Sequence, residues 1–213
     1  MSQMTTPDAA GTHDDSAPTT AAKLTVDALR GLGVDTLFCL PGVQNDDFFN
    51  ALVDAPDIKV ITTRHEQGAA YMATGASLVT GGPAACAVVP GPGMLNAAGA
   101  LTTAYWSNAR VLAVVGQIPT DARGRTWGVL HELPDQTAIL RQLTKQAALI
   151  DSPGAAAKTL QDAIDSVVSG RPRPVSVEVP ADLWSAPTTG RVEPSTRYQA
   201  ISAGGVFRGA ASR

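Results

Sequence analysis

The sequence predicts an α/β fold, a three-layer α/β/α domain built around an open, six-stranded parallel sheet. Six short apolar or β-branched runs alternate along the chain with segments of helical spacing, and this alternation is typical of βαβ units. Two of the runs, residues 84–89 and 111–115, are apolar throughout, as expected of strands that are buried on both faces of a sheet.

The predicted elements follow one another through short connections, with one exception. The predicted strands are residues 36–40, 58–62, 84–89, 111–115, 145–150 and 174–179, and the predicted helices are residues 21–32, 46–53, 66–80, 97–106, 135–143 and 153–168. The β-branched run at 58–62 is expected to be a buried strand. Residues 118–134 show little periodicity, and loops of that length in compact domains are usually functional or mobile.

One domain is expected, at residues 21–185, with a tail at each end. Residues 1–20 are mainly Thr, Asp, Ser, Ala and Pro, which predicts disorder, and residues 186–213 lose the apolar pattern, which predicts an irregular tail. Cys39 and Cys86 lie within strand-like runs and are expected to be buried and unpaired.

Composition excludes some classes of partner and location. A formal net charge of −3 gives no reason to expect binding to nucleic acid. No apolar run approaches the roughly 20 residues needed to cross a bilayer, and the N-terminus does not have the pattern of a secretory signal. The chain is therefore expected to be cytoplasmic, without membrane or nucleic-acid partners.

Glu66 lies at the start of a predicted helix, shortly after the end of a predicted strand. A carboxylate is favoured there by the free backbone N–H groups and by the positive end of the helix dipole. Ligands also bind at the carboxyl ends of the strands in open α/β sheets. From position alone, both a helix start and a ligand-binding carboxylate remain open.

Residues 64–70 read RHEQGAA and are followed by Met72 and Ala73. This segment resembles the pyrimidine-binding (PYR) domain of thiamine-diphosphate enzymes, in the group of acetolactate synthase, benzoylformate decarboxylase and pyruvate oxidase. In that family the glutamate meets N1′ of the aminopyrimidine ring, so the resemblance implies that Glu66 is catalytic and activates the cofactor. It also implies the thiamine-diphosphate-binding fold, with the strands in the order 2-1-3-4-6-5.

Three more segments match the site motifs of this family. The first is the Pro-Gly loop after the first strand, the second is the GPGMLN run at residues 91–96, and the third is the Gly-Gln pair that follows the fourth strand. Read alone, such motifs are usually turns. The resemblance implies cofactor-binding roles for Pro41, Gly42, Glu66, Pro92, Asn96 and Gln117.

Residues 91–96 also suggest a dinucleotide-binding turn, because glycines follow a strand and open a helix. However, Asn96 occupies the position of the third glycine, and no acidic residue ends the next strand. Two alternatives are kept: an unrelated α/β nucleotide-binding protein, and a non-catalytic PYR-like module that only associates with a partner. Val89 and Pro90 stand where the family usually has hydroxyl residues, and His131 is expected to pack the long loop or an interface.

The resemblance implies only one half of an enzyme. Its members bind the diphosphate through Mg²⁺ on a separate domain with a Gly-Asp-Gly motif, which is absent from these 213 residues. No metal ligand is therefore expected on this chain, which would be inactive alone, as a split subunit or a truncated fragment. The expected activity is decarboxylation or carboligation of a 2-oxo acid, as a lyase or transferase.

The resemblance also implies an assembly, because such domains meet the diphosphate-binding domain of another unit across a dimer. The expected partner is the chain or domain with the diphosphate site, in a homo- or hetero-oligomer. The small faces of the helices at residues 69–76 and 97–104 would suit close helix approach there, although the same alanines could simply pack against the sheet.

Overall fold

The structure, a computed structural model, describes residues 18–195. Six parallel strands form the central sheet, and their spatial order is 2-1-3-4-6-5 when the six are counted along the chain. The predicted fold class and strand order are therefore confirmed. The strands are β2 (Thr36–Cys39), β3 (Lys59–Thr62), β4 (Ala84–Val88), β5 (Val111–Gln117), β6 (Gln146–Leu149) and β7 (Val175–Pro180).

Three helices cover each face of the sheet. Helices α1 (Ala21–Gly31), α2 (Asp46–Val53) and α6 (Ala156–Val168) share one hydrophobic cluster with the sheet, and α3 (Glu66–Thr80), α4 (Pro92–Ser107) and α5 (Gln136–Leu143) share the other. Strand β4 contributes to both clusters, because successive side chains of a strand point to opposite faces. Ala85 and Ala87 enter the first cluster, and Cys86 and Val88 enter the second.

Both cysteines are buried and unpaired, as predicted. Cys86 is completely buried in β4, and desolvation, with a smaller contribution from Cys39, raises the pKa of its thiol to about 12. A thiol with that pKa carries almost no thiolate near neutral pH and behaves as a small apolar side chain.

The expectation of a buried strand at residues 58–62 is wrong in one respect. β3 is a strand, but it lies at the edge of the sheet and pairs only with β2. Lys59, Val60 and Thr62 are exposed as a result. A β-branched run predicts an extended backbone, but the number of neighbouring strands depends on pairing between segments that are distant in sequence.

The packed domain extends beyond the predicted bounds of 21–185. A two-residue strand β1 (Thr19–Thr20) pairs antiparallel with β8 (Pro187–Thr188), and Val192 is buried against the first cluster. Two-residue strands have no periodicity from which they could be predicted. Most of both predicted tails lies outside the described residues.

Helix α4 begins at Pro92, five residues before the predicted start at 97. Proline suits the first turn of a helix, because its fixed φ is helical and its missing N–H needs no partner there. The GPGMLN run is therefore mostly helix, and Asn96 lies one turn into it. This earlier start brings Asn96 to the same end of the domain as the beginning of α3.

The small faces of α3 and α4 are not exposed. Ala69, Ala70, Ala73, Ala97 and Ala100 are all completely buried within the chain, so they pack the two helices together and onto the sheet. The outer surfaces of these helices carry large apolar side chains instead, namely Tyr71, Met72, Leu78, Val79, Leu95 and Trp106.

Trp184 packs against the segment that follows the Pro-Gly loop. Its ring stacks on Phe48 with centroids 5.2 Å apart, and its Nε1 donates to the carbonyl oxygen of Gln44 at 2.9 Å. We expect Trp184→Phe to cost about 2–4 kcal/mol, because a buried carbonyl loses its donor and the smaller ring leaves a cavity at a completely buried position. Urea unfolding would measure this loss. Trp127→Phe, at a side chain that is 60% exposed, should change stability by less than about 0.5 kcal/mol.

Candidate functional site

Glu66 is the first residue of α3 and is only 7% exposed. His65 caps the helix, and its Nδ1 accepts a hydrogen bond from the backbone N–H of Gln67 at 3.2 Å. Nδ2 of Asn96 donates to Oε2 of Glu66 at 2.9 Å. The other carboxylate oxygen, Oε1, accepts no hydrogen bond from residues 18–195 and remains available to a ligand.

The Gly-Pro-Gly loop lies against this free oxygen. A Cβ atom added at Gly93 would lie 3.3 Å from Oε1 of Glu66 and 2.6 Å from Cγ2 of Val89. Glycine is therefore required for the backbone to approach the carboxylate this closely. Pro92 precedes it as the first residue of α4. The structure thus brings Glu66, Pro92 and Asn96 together, as the sequence predicted.

Val89 also joins this loop to the first one. A Cβ atom added at Gly42 would lie 2.6 Å from Cγ1 of Val89, so one valine side chain separates Gly42 from Gly93. Pro41, the neighbour of Gly42, is exposed. The Pro-Gly loop and the Gly-Pro-Gly loop are therefore adjacent at the carboxyl ends of β2 and β4.

Asn45 holds the first loop in this position and was not predicted. Its Nδ2 donates to the carbonyl oxygen of Val88 at 2.9 Å, and the residue is completely buried. Its Oδ1 lies so close to Gly116 that an added Cβ there would be only 2.2 Å away. A polar residue between the loop and a short helix gives no distinctive signal in a sequence.

Gln117 is not brought to Glu66 by any described contact. Its Nε2 donates to Oε2 of Glu178 at 2.8 Å, and its Oε1 accepts from the backbone N–H of Ile118 at 2.8 Å. The side chain is 5% exposed. Its predicted place in the cofactor pocket therefore stays a prediction, and in this structure Gln117 binds the end of β7.

Gln136 completes a buried network around Glu178. Its Nε2 donates to Oε2 of Glu178 at 2.8 Å and to the carbonyl oxygen of Gly116 at 3.0 Å, and its Oε1 accepts from the backbone N–H of Gly91 at 2.7 Å. Neither Gln136 nor Glu178 was predicted. The signal was present, because a carboxylate within the apolar run of β7 requires a buried partner.

Burial raises the pKa of Glu178 above its ordinary value of 4.5. Hydrogen bonding by Thr137, Gln136 and Gln117 and the charge of Arg123 oppose this rise without cancelling it. Glu178 is completely buried, and its Oε1 has no hydrogen-bond partner. A carboxylate in this environment favours its protonated form more than it does in the unfolded chain.

The stability of the domain should therefore fall as the pH rises above about 4.5, because the folded state then binds more protons than the unfolded state. Glu178→Gln should remove this dependence, so the variant should gain stability relative to the parent as the pH rises. Urea unfolding at several pH values from about 4.5 to about 7 would measure the difference. Asp54→Asn, at an exposed position, should run parallel to the parent, and a constant offset for Glu178→Gln would contradict the expectation.

A cavity of about 450 Å³ opens beside the Gly-Pro-Gly loop and the long connection, between Pro92, Leu95, His131 and Leu133. The backbone of His131 packs against Gly91, since a Cβ atom added there would lie 2.4 Å from the carbonyl oxygen of His131. His131 therefore packs the long loop onto the site. No helix or strand occurs between β5 and α5, as predicted for this segment.

Within residues 18–195, no three His, Cys, Asp or Glu side chains are grouped so that they could hold a metal ion. The same part of the chain contains no helix with the length and apolar character needed to span a membrane.

Comparisons with known proteins identify the family of this chain. Residues 19–139 match the family model described as "Thiamine pyrophosphate enzyme, N-terminal TPP binding domain". A probable 2-ketoarginine decarboxylase of Pseudomonas aeruginosa is 38% identical over 168 residues, which are 79% of this chain and 30% of the relative.

Acetolactate synthases are similar over the same region. That of Arthrospira platensis is 35% identical over 78% of this chain and 29% of its own, and the catabolic enzyme of Raoultella terrigena is 30% identical over 85% and 32%. The chain spans about a third of the length of these relatives. With most of its described residues matched by the family model and a free carboxylate beside the Gly-Pro-Gly loop, the chain belongs to the thiamine pyrophosphate enzymes and contains their N-terminal TPP-binding domain.

Proposed function

We propose that this chain is the pyrimidine-binding half of a thiamine-diphosphate-dependent enzyme that acts on a 2-oxo acid. The observation that carries the proposal is the free Oε1 of Glu66, buried beside Gly93 while Oε2 is held by Asn96. A carboxylate with one oxygen fixed and one open can bind a ring nitrogen in a single orientation. The site therefore fits the aminopyrimidine of the cofactor in its donor set.

Glu66, Asn96 and one glycine of each loop would have distinct tasks. Glu66 would hold a proton at Oε1, shared with N1′ of the aminopyrimidine ring, and Asn96 would fix the carboxylate against rotation. Gly42 and Gly93 would let the backbone of the two loops approach the ring. Thiamine diphosphate, when bound, supplies the carbanion chemistry that breaks or forms the bond to a carbonyl carbon. Which 2-oxo acid is used, and whether by decarboxylation or carboligation, would depend on groups outside this site.

The diphosphate and its Mg²⁺ would be held by another domain or chain. Mg²⁺ prefers oxygen ligands that it shares with phosphate, and the relatives are about three times as long as the region that this chain matches. We propose that the partner covers the outer surfaces of α3 and α4, where Tyr71, Met72 and Leu95 are each more than 40% exposed. Apolar side chains grouped on neighbouring helices favour an interface.

A chimeric enzyme tests the proposal. Residues 18–195 would replace the matched region of the Pseudomonas aeruginosa relative, and thiamine-diphosphate-dependent decarboxylation of 2-ketoarginine would be measured against the relative without that region. We expect activity to return, and thiamine diphosphate to bind in calorimetric titration. The chain alone should bind the cofactor weakly.

The alternatives give different results in the same experiment. A non-catalytic association module would yield a folded chimera that assembles but does not react even when the cofactor is bound. An unrelated nucleotide binder would yield a chimera that binds no thiamine diphosphate. If the cofactor is bound and turned over but 2-ketoarginine is a poor substrate, the substrate alone would need to be revised, and a panel of 2-oxo acids would identify it.

A further inference from the structure

Gln136 connects three segments that meet at the site. It is the first residue of α5 and is 2% exposed. Its amide makes three hydrogen bonds: Oε1 accepts from Gly91 N–H at 2.7 Å, and Nε2 donates to Gly116 O at 3.0 Å and to Glu178 Oε2 at 2.8 Å. Both amide protons and the amide oxygen are therefore used. One side chain links the ends of β5 and β7 to the residue that precedes α4.

Gly91 needs such a support. Its backbone lies at φ 58° and ψ −116°, a region that only glycine adopts readily. It is the N-cap of α4 and, as a glycine, has no side chain that could cap the helix. The backbone of His131 closes one side of it, and Gln136 accepts from its N–H. Because Gly93 and Asn96 follow on the same helix, the position of Gly91 sets the distance of both from Glu66.

Gly91, Gly116 and Glu178 together determine which way the amide of Gln136 points. With the carboxylate accepting from Nε2, the oxygen of the amide faces Gly91. A flipped amide would direct its NH₂ group at the N–H of Gly91 and its oxygen at the carbonyl oxygen of Gly116, and both contacts would be repulsive. Burying a carboxylate without a hydrogen-bonded cation costs free energy. If Glu178 only filled space, an amide or an apolar residue at this position would avoid that cost.

We propose that Gln136 is a positioning residue that holds the Gly91–Gly93 loop against Glu66, and that Glu178 supports the orientation of its amide together with the carbonyl of Gly116. The inference depends on the proposed function in one respect only, namely that the loop contributes to cofactor binding. The positioning itself is a property of this chain and can be measured without cofactor, so failure of the chimera would leave it standing.

Two variants of this chain give a matched test. Gln136→Leu and Gln117→Leu each remove one amide that donates to Glu178, but only the first contacts Gly91. In ¹⁵N-resolved NMR, Gln136→Leu should speed hydrogen exchange of the Gly91 amide by about tenfold, equivalent to the loss of one hydrogen bond. It should also shift the side-chain amide signals of Asn96, which report its bond to Glu66. Gln117→Leu should leave both unchanged.

A double variant provides the rescue. Gln136→Glu alone keeps an acceptor for Gly91 but places two carboxylates in contact, so the Asn96 signals should move. Adding Glu178→Gln restores a donor opposite that carboxylate, but the carbonyl oxygen of Gly116 remains without its donor. Gly91 exchange should therefore return part of the way to the parent rate. The proposal is overturned if Gln136→Leu and Gln117→Leu behave alike, or if the double variant is as disturbed as Gln136→Glu. Should Gln136→Leu fail to fold, the double variant still decides.

Discussion

Glu66→Gln in the chimeric enzyme should slow proton exchange at C2 of bound thiamine diphosphate by about 10²–10⁴-fold, the range typical of losing a general acid–base group. Asn96 donates to one oxygen of Glu66, so the carbonyl of the new glutamine would turn to Asn96. Its NH₂ group would then face the ring nitrogen. An amide can donate a hydrogen bond there but cannot exchange a proton with it.

The measurement is hydrogen–deuterium exchange at C2, followed by NMR after rapid quenching. Asn96→Ala leaves the carboxylate in place but free to rotate, so we expect a smaller loss of about tenfold. Asp54→Asn, an exposed carboxylate at the end of α2, should exchange at the parent rate. Full exchange in Glu66→Gln would remove Glu66 from the catalytic role and with it the central argument for the proposed function.

Gly91→Ala should destabilise the domain by about 4 kcal/mol, through backbone strain and overpacking together. The added methyl group would lie 2.4 Å from the carbonyl oxygen of His131 and 2.9 Å from its carbonyl carbon. These are backbone atoms and cannot move aside as a flexible side chain would. The φ of 58° adds a cost that any residue except glycine must meet.

Gly124→Ala separates the two contributions. Gly124 has φ 73°, but an added Cβ atom there would meet nothing within 4 Å, so only the backbone cost of about 1–2 kcal/mol remains. Urea unfolding of both variants would measure the difference. Equal losses would show that the long connection yields at His131 and that Gly91 is not sterically confined.

The fold followed from the sequence because its signals are local and repeated. Residues 84–89 and 111–115 are apolar throughout, and both became central strands with side chains in both clusters. The edge position of β3 did not follow from its own residues, since Val60 and Ile61 do not show how many strands lie beside them; only the strand order implied by the resemblance places it there. The start of α4 was misplaced because Pro92 is compatible with a loop and with the first turn of a helix.

Site residues that belong to sequence motifs could be predicted, whereas contacts between segments that are distant in sequence could not. Glu66, Pro92 and Asn96 came together as expected. Gln117 donates to Glu178 instead of approaching them. This contact depends on a strand residue that lies 61 positions further along the chain. The supporting residue Gln136 lies at the start of a helix that was predicted, but a helical pattern does not show which groups its side chain contacts.

Val89 imposes an order on how the site could have evolved. Its two methyl groups occupy the space that a side chain at residue 42 or at residue 93 would need. A lineage could enlarge either position only after a smaller residue had replaced Val89. Mutagenesis that aims to introduce a side chain at residue 42 or 93 should therefore begin by replacing Val89 with a smaller residue.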